Sequence, residues 1–336
     1  MNTTKNLIGN KQRLGYVDIA KGMLITYLII HHIIDFGIRN FDLGGNVVLT
    51  TLREVQRPIM LCYFMQAFFF ITGYCSNFDN PFIIFLKKQI KSLLIPALIF
   101  TVLYYSAKFD FKSLFETLIY FGGRFWFITS LFIAKLFYWL LNKYIKNGVV
   151  LFSVLLVVSF LSTIIDSKDY FPNYWWNRQT MDLCLFLYLG QFMRGKIENR
   201  KIQCCSLLIY VITILICYSF EIKIPHITAG FYTMPSTWLI HILLSLSGTL
   251  LLMVICKYIS NNKTLEFLGK NSLTIYIFQD VVITLLLKTF ASELLNNDIL
   301  ISVFIILFIW MCALIVLSAI SLFLNTKYLK WTLGKW

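Results

Sequence analysis

Charge is what this chain has least of: Asp, Glu, Lys and Arg together make up 14% of its 336 residues, where an ordinary soluble domain has about a quarter. That scarcity, with 58% hydrophobic residues, excludes a water-soluble globule and leaves the membrane class. An internal repeat and a low-complexity linker are also missing, so a modular array is excluded. A single membrane-embedded domain is expected over residues 1–336. No cleavable signal peptide is visible, because the first apolar run carries His and Asp and lacks a small-residue cleavage site. The eight cysteines (62, 75, 184, 204, 205, 217, 256 and 312) have neither metal-ligand nor disulfide spacing. They read as small buried hydrophobes, with no metal site to assign.

What is present is a series of long apolar runs. Ten come close to the roughly 20 residues that cross the hydrocarbon core: about 17–36, 58–78, 82–106, 125–142, 148–165, 182–195, 203–220, 236–257, 271–291 and 299–324. The aromatic content of 17% suits lipid-facing helices and interfacial belts. The expectation is an all-α polytopic integral membrane protein of about ten transmembrane helices. Short tails lie at about 1–16 and 325–336.

The net charge of +14 invites a nucleic-acid reading, but its distribution argues otherwise. Alternate connections collect the basic residues: Lys5, Lys11, Arg13 and Lys21, then Lys87, Lys88 and Lys91, then Lys143 and Lys146. The pattern continues through Arg194, Lys196, Arg200 and Lys201, then Lys257, Lys263 and Lys270, and finally Lys327, Lys330 and Lys335. The other connections hold about half as many, offset by acids such as Asp35, Asp42, Glu54 and Asp298. The positive-inside rule then puts both termini in the cytoplasm, and the charge is a topology signal with no nucleic-acid partner implied.

The first run, "DIAKGMLITYLIIHH", holds an acid, a base and two histidines. At about 100° per residue, Asp18, Lys21, Ile25, Ile29 and His32 share one helix face, and His31 points roughly 100° away. From Lys21 to His32 the helix rises about 16 Å, so His32 lies deep in the membrane if Lys21 marks the cytoplasmic boundary. Ionisable groups at that depth usually face a bundle interior or a cavity, and imidazole suits proton transfer near neutral pH. By themselves these residues point to a polar cavity entered by the first helix, without naming a reaction.

The stretch "RLGYVDIAKGMLITYLIIHH" resembles the first-helix signature of the membrane-bound acyltransferase 3 family, with Asp18, Lys21, Gly22 and His32 at its motif positions. Lys21 stands where many members have Arg. Further segments are similar in the same order: "FMQAFFFITGY" with Thr72 and Gly73, "FLKKQIKSLLIP" ending at Pro96, and "RFWFITSLF" with Trp126. After them come "FLYLGQFMRGK" with Gly190 and "LGKNSLTIYIFQD" with Asn271 and Ser272. Three positions depart from the pattern: Gln66 replaces a Pro, Phe64 a His of close relatives, and Gln279 a frequent His.

The resemblance implies acyl transfer, usually of acetyl, from cytoplasmic acetyl-CoA as co-substrate to a hydroxyl of a cell-envelope polysaccharide or lipid-linked glycan. No cofactor would be held permanently. A bacterial cytoplasmic membrane is the expected location. No soluble domain is attached, so the membrane part would do the whole reaction. Lys21, with Asp18 beside it, and Lys87, Lys88 and Lys91 are the expected donor-phosphate cations, although the three later lysines also read as an ordinary positive-inside cluster. His32 would be either a general base or a covalent acyl carrier. Its orienting partner must come from another helix, with Asp280 and Thr72 the candidates. Arg53, Arg57, Arg124 and Trp126 are the acceptor-side candidates. Lys135, mid-span, is expected to reach toward the cytoplasmic interface. Succinyl transfer on the same fold, and a flippase for lipid-linked glycans, are the alternatives. The flippase has against it the lack of a repeated half and of matching broken spans.

Overall fold

The computed structural model describes residues 14–120, 125–166, 179–226, 234–259, 261–295 and 298–335. Arg13 and Arg124 lie outside them. Among the described residues the regular structure is helical throughout. In chain order the α-helices are α1 (Gly15–Asn40), α2 (Val47–Gln56), α3 (Phe64–Cys75), α4 (Phe82–Gln89), α5 (Ile95–Ala107), α6 (Phe111–Tyr120) and α7 (Trp126–Tyr144). They continue with α8 (Gly148–Asp166), α9 (Gln179–Phe192), α10 (Arg200–Ser219), α11 (Trp238–Tyr258), α12 (Lys263–Lys270), α13 (Ser272–Leu295) and α14 (Ile299–Leu324).

Each of the ten apolar runs is helical, and the short α6 and α12 lie between them. Among the described residues, seven helical stretches are long and apolar enough to cross a membrane, with α2–α3 and α4–α5 each counting as one. The chain is thus an all-α polytopic membrane protein. The two joined stretches are interrupted by π turns at Arg57–Leu61 and Ile90–Leu94, next to Pro58 and Pro96. Proline lacks an N–H and crowds the preceding turn, so the helix widens there instead of stopping. The Pro58 carbonyl accepts hydrogen bonds from the Tyr210 hydroxyl and, at 3.7 Å, from Cys62 Sγ.

Polar caps set several helix starts. Asn46, Asn199, Asn262 and Asp298 each accept from the first turn of α2, α10, α12 and α14. Asn46 does more, since its Nδ2 donates to Leu294 O at 2.7 Å and to Ser302 Oγ at 2.8 Å. That fastens the start of α2 to α13 and α14.

In lipid the helices gain little from burying apolar surface against one another, so close packing has to hold them together. Glycine supplies it twice. A Cβ on Gly22 would collide with the Leu265 carbonyl, and one on Gly269 with the Asp18 carbonyl, so α1 and α12 cross backbone to backbone. Gly73 meets the Leu187 carbonyl and Gly190 the Phe70 carbonyl, which joins α3 to α9 in the same way. Asn271, at the end of α12, accepts from Asn325 Nδ2 at 2.8 Å and ties this junction to the end of α14.

One expectation is corrected here. Cys62, Cys184, Cys217 and Cys256 are buried, but Cys75, Cys204 and Cys205 are exposed. The adjacent pair lies on α10, where few side chains are buried, so an apolar run does not by itself put a cysteine inside. Lys135 is 8% exposed within α7, with Lys88 and Lys21 among the charges that act on it.

The glycine crossings predict a sharp contrast in stability. Gly73→Val should abolish the folded, monodisperse protein in detergent, because a branched side chain cannot fit against backbone. Gly45→Ala, where an added Cβ meets nothing within 4 Å, should leave the melting temperature unchanged.

Candidate functional site

One cavity of about 520 Å³ runs beside α1, within the size range of small-molecule sites. Lys21 and Lys270 line one end, and Arg39, Arg53 and Arg57 line the other. Along α1, Lys21 and Arg39 are separated by a rise of about 27 Å, close to the thickness of a hydrocarbon core. The walls come from α1, α2, α3, α7 and α13, and include Phe64, Phe68, Trp126, Phe127 and Tyr276.

His32 lies between the two ends. Its Nδ1 is 3.2 Å from Asp280 Oδ1 on α13, although the angle falls short of a straight hydrogen bond. Both side chains are about one-fifth exposed, 20% and 23%, so the pair opens onto the cavity. Phe36, one turn along α1, stacks on the imidazole with ring centroids 4.9 Å apart. With Nδ1 turned toward the carboxylate, Nε2 is the nitrogen left for chemistry. Thr72 also lines the cavity but makes no hydrogen bond to either histidine.

His31 lines the same space despite its different helix face. Its Nδ1 is 3.1 Å from Gln56 Oε1, which also accepts from the Tyr27 hydroxyl at 3.2 Å. Gln56 sits at the end of α2, where the π turn begins. Its Nε2 is buried with no hydrogen-bond partner among the described residues, as is Gln279 Oε1 beside Asp280.

At the Lys21 end, Lys21 Nζ is 3.7 Å from Asp18 Oδ1, and Asp18 is buried under α12. Lys270 pairs with Glu266 at 3.3 Å. Gly269 and Ser272 line the wall between them. Lys87, Lys88 and Lys91 are exposed and do not line the cavity. At the other end Arg39 is held by Asp35 at 2.9 Å and Arg57 by Glu54 at 2.6 Å. His226, in the segment after α10, also faces the cavity. Burial, reinforced by the charges of Arg57, Lys223 and Arg53, pushes its pKa down to about 4, so it stands neutral.

Sequence reasoning passed over Lys270, Arg39, Gln56 and His226 as site residues. It also missed a second polar cluster. Asp182 on α9 and His241 on α11 pair at 2.9 Å with His241 0% exposed. Ser159 donates to Asp182 at 2.6 Å, Trp238 donates to Ser159 at 2.9 Å, and Gln66 Nε2 is 3.4 Å from His241. Ser245 is 3.5 Å from His241 Nδ1, but its hydroxyl donates to the Cys62 carbonyl at 2.8 Å. The residue types resemble a hydrolytic triad, yet no substrate can reach them. They form a polar clamp joining α3, α8, α9 and α11. The signal that would have found it was an acid and a histidine inside apolar spans.

A polytopic helical membrane protein with a histidine–carboxylate pair facing a cavity that extends about the thickness of the hydrocarbon core has the layout of an intramembrane group-transfer enzyme. The acyltransferase-domain family model matches residues 14–324, and the chain belongs to the acyltransferase 3 family. No curated protein and no solved structure matches it.

The two pairs should respond differently to substitution. Asp182→Leu removes one partner of a fully buried pair and should cost about 3–5 kcal/mol, read as a large drop in melting temperature. Asp280→Asn should leave thermal stability intact while acyl transfer falls.

Proposed function

We propose that this acyltransferase moves an acetyl group from cytoplasmic acetyl-CoA to a hydroxyl of a cell-envelope polysaccharide or lipid-linked glycan. The observation that carries the reading is the single cavity linking a lysine-lined end to an arginine-lined end past the His32–Asp280 pair. The proposed orientation follows the charge asymmetry of the connections, with the Lys21 end in the cytoplasm.

The donor's phosphates meet Lys21 and Lys270 at the mouth, and Lys87, Lys88 and Lys91 add point charges on the surface nearby. The thin arm of the donor runs along α1 and presents its thioester carbonyl near His32. His32 Nε2 takes the proton of the acceptor hydroxyl as its oxygen attacks the carbonyl carbon. Asp280 stabilises the imidazolium that forms. The C–S bond breaks as the tetrahedral intermediate collapses, and the leaving thiolate takes the proton back from His32. In the covalent variant, Nε2 itself attacks the thioester carbonyl, the C–S bond breaks and the thiolate leaves. The acyl group stays on the imidazole until the sugar oxygen attacks it, the C–N bond breaks and the hydroxyl proton passes to the thiolate. Trp126 and the aromatic wall give the sugar a surface to stack on.

Transfer of radiolabelled acetyl from acetyl-CoA to membrane glycans, compared with and without the protein, tests the reading. Unchanged labelling with failed glycan export would favour a flippase instead. His32→Ala should reduce transfer at least about 100-fold with the protein folded, whereas His31→Ala retains most activity. Lys21→Ala should raise the KM for acetyl-CoA and leave the KM for the glycan unchanged.

A further inference from the structure

Among the described residues, two of the three arginines at this end of the cavity have a carboxylate of their own. Asp35 serves Arg39 and Glu54 serves Arg57, and Asp280 lies against His32. Arg53, half-buried in the wall, has no carboxylate within ion-pair distance among the described residues. The choice of cation also differs between the ends. Lys21 and Lys270 line one, whereas among the described residues the cations lining the other are guanidinium groups, with Lys223 acting on His226 nearby. Topology does not call for them, because the positive-inside rule disfavours basic residues on the far side of the membrane. A guanidinium offers a planar fork that matches a carboxylate or phosphate with two parallel hydrogen bonds. His226 beside them is neutral and adds a polar contact without further charge.

Position ties this charge to the reacting centre. Gln56, which holds His31, is one helical turn from Arg53, a rise of about 5 Å, and Arg39 lies about 10 Å along α1 from His32. An anion held there belongs to the sugar being acylated or to its immediate neighbour.

We propose that the acceptor carries an anionic group, carboxylate or phosphate, next to the acylated hydroxyl, and that Arg53 receives it with Arg57 and Arg39 alongside. The proposal rests on the acyl-transfer reading above and names the chemical class of its acceptor.

The test uses the full-length protein in nanodiscs, [14C]acetyl-CoA, and glycan from the producing cells in three forms. One is untreated, one is carboxyl-reduced with carbodiimide and borohydride, and one is dephosphorylated with aqueous hydrogen fluoride. Labelling should fall about ten-fold or more on one of the treated forms, and which one it is identifies carboxylate or phosphate as the anion. Arg53→Gln should raise the KM for untreated glycan by a similar factor, leave the KM for acetyl-CoA unchanged, and cause no added loss on the affected treated form. Arg53→Lys should recover part of the affinity. Equal labelling of all three forms, or an unchanged glycan KM in Arg53→Gln, overturns the anionic acceptor alone. Labelling of none of them by the wild-type protein overturns the glycan reading as well.

Discussion

The crossing of α1 over α12 through Gly22 and Gly269 fixes where the rest of the site can be. Lys21 adjoins that contact and lines the cavity, and His32 and Arg39 follow on the same helix. Since apolar burial does little to hold helices together in lipid, a backbone-to-backbone approach with matched surfaces is what remains to set their positions. The second crossing, Gly73 and Gly190 between α3 and α9, does the same for the opposite wall, where Phe64, Phe68 and Thr72 face the cavity. Moving either crossing by the width of a methyl group would shift a wall relative to the imidazole.

Within that frame, access separates two histidine–carboxylate pairs. Asp182 and His241 are closed off on every side and hydrogen-bonded through Ser159, Gln66 and Trp238, so they serve as a clamp. His32 and Asp280 have a similar composition but remain partly open, and their contact is short in distance yet imperfect in angle. Buried polar groups in a low-dielectric interior are either fully satisfied or costly. A pair that stays one-fifth exposed beside a cavity is therefore one that a substrate can reach.

Most of the fold was legible because a bilayer requires long apolar runs, and each of these became a helix. The ends were less so. The first span, read to residue 36, continues to Asn40, because Asp35 and Arg39 pair along the helix and keep it going. The π turns at Pro58 and Pro96 leave the apolar pattern intact and so have no signature in hydropathy. At the site, His32 and Asp280 stood out as ionisable groups in apolar runs. Asp182 and His241 carried the same signal, but sequence cannot say which acid faces which histidine, or which pair meets a cavity. Lys270 read only as a topology charge and Arg39 was passed over, although both line the cavity while staying exposed. Lys87, Lys88 and Lys91 were conspicuous in the sequence and lie outside the cavity wall.

The turn at Arg57–Leu61 gives the interrupted second span a purpose that hydropathy hides. In an unbroken α-helix, successive turns drift steadily around the axis, so a residue chosen to face α1 at Gln56 would commit those that follow to other faces. The wider turn resets that phase. Gln56 reaches His31, Arg57 enters the cavity wall, and Phe64, Met65, Phe68 and Thr72 line the same cavity farther along α3. The carbonyl left at Pro58 is taken by Tyr210 from α10, a helix otherwise largely exposed. Local irregularity, satisfied by a neighbouring helix as the bilayer demands, is thus what lets one span contribute polar side chains at the reacting level and apolar ones below it.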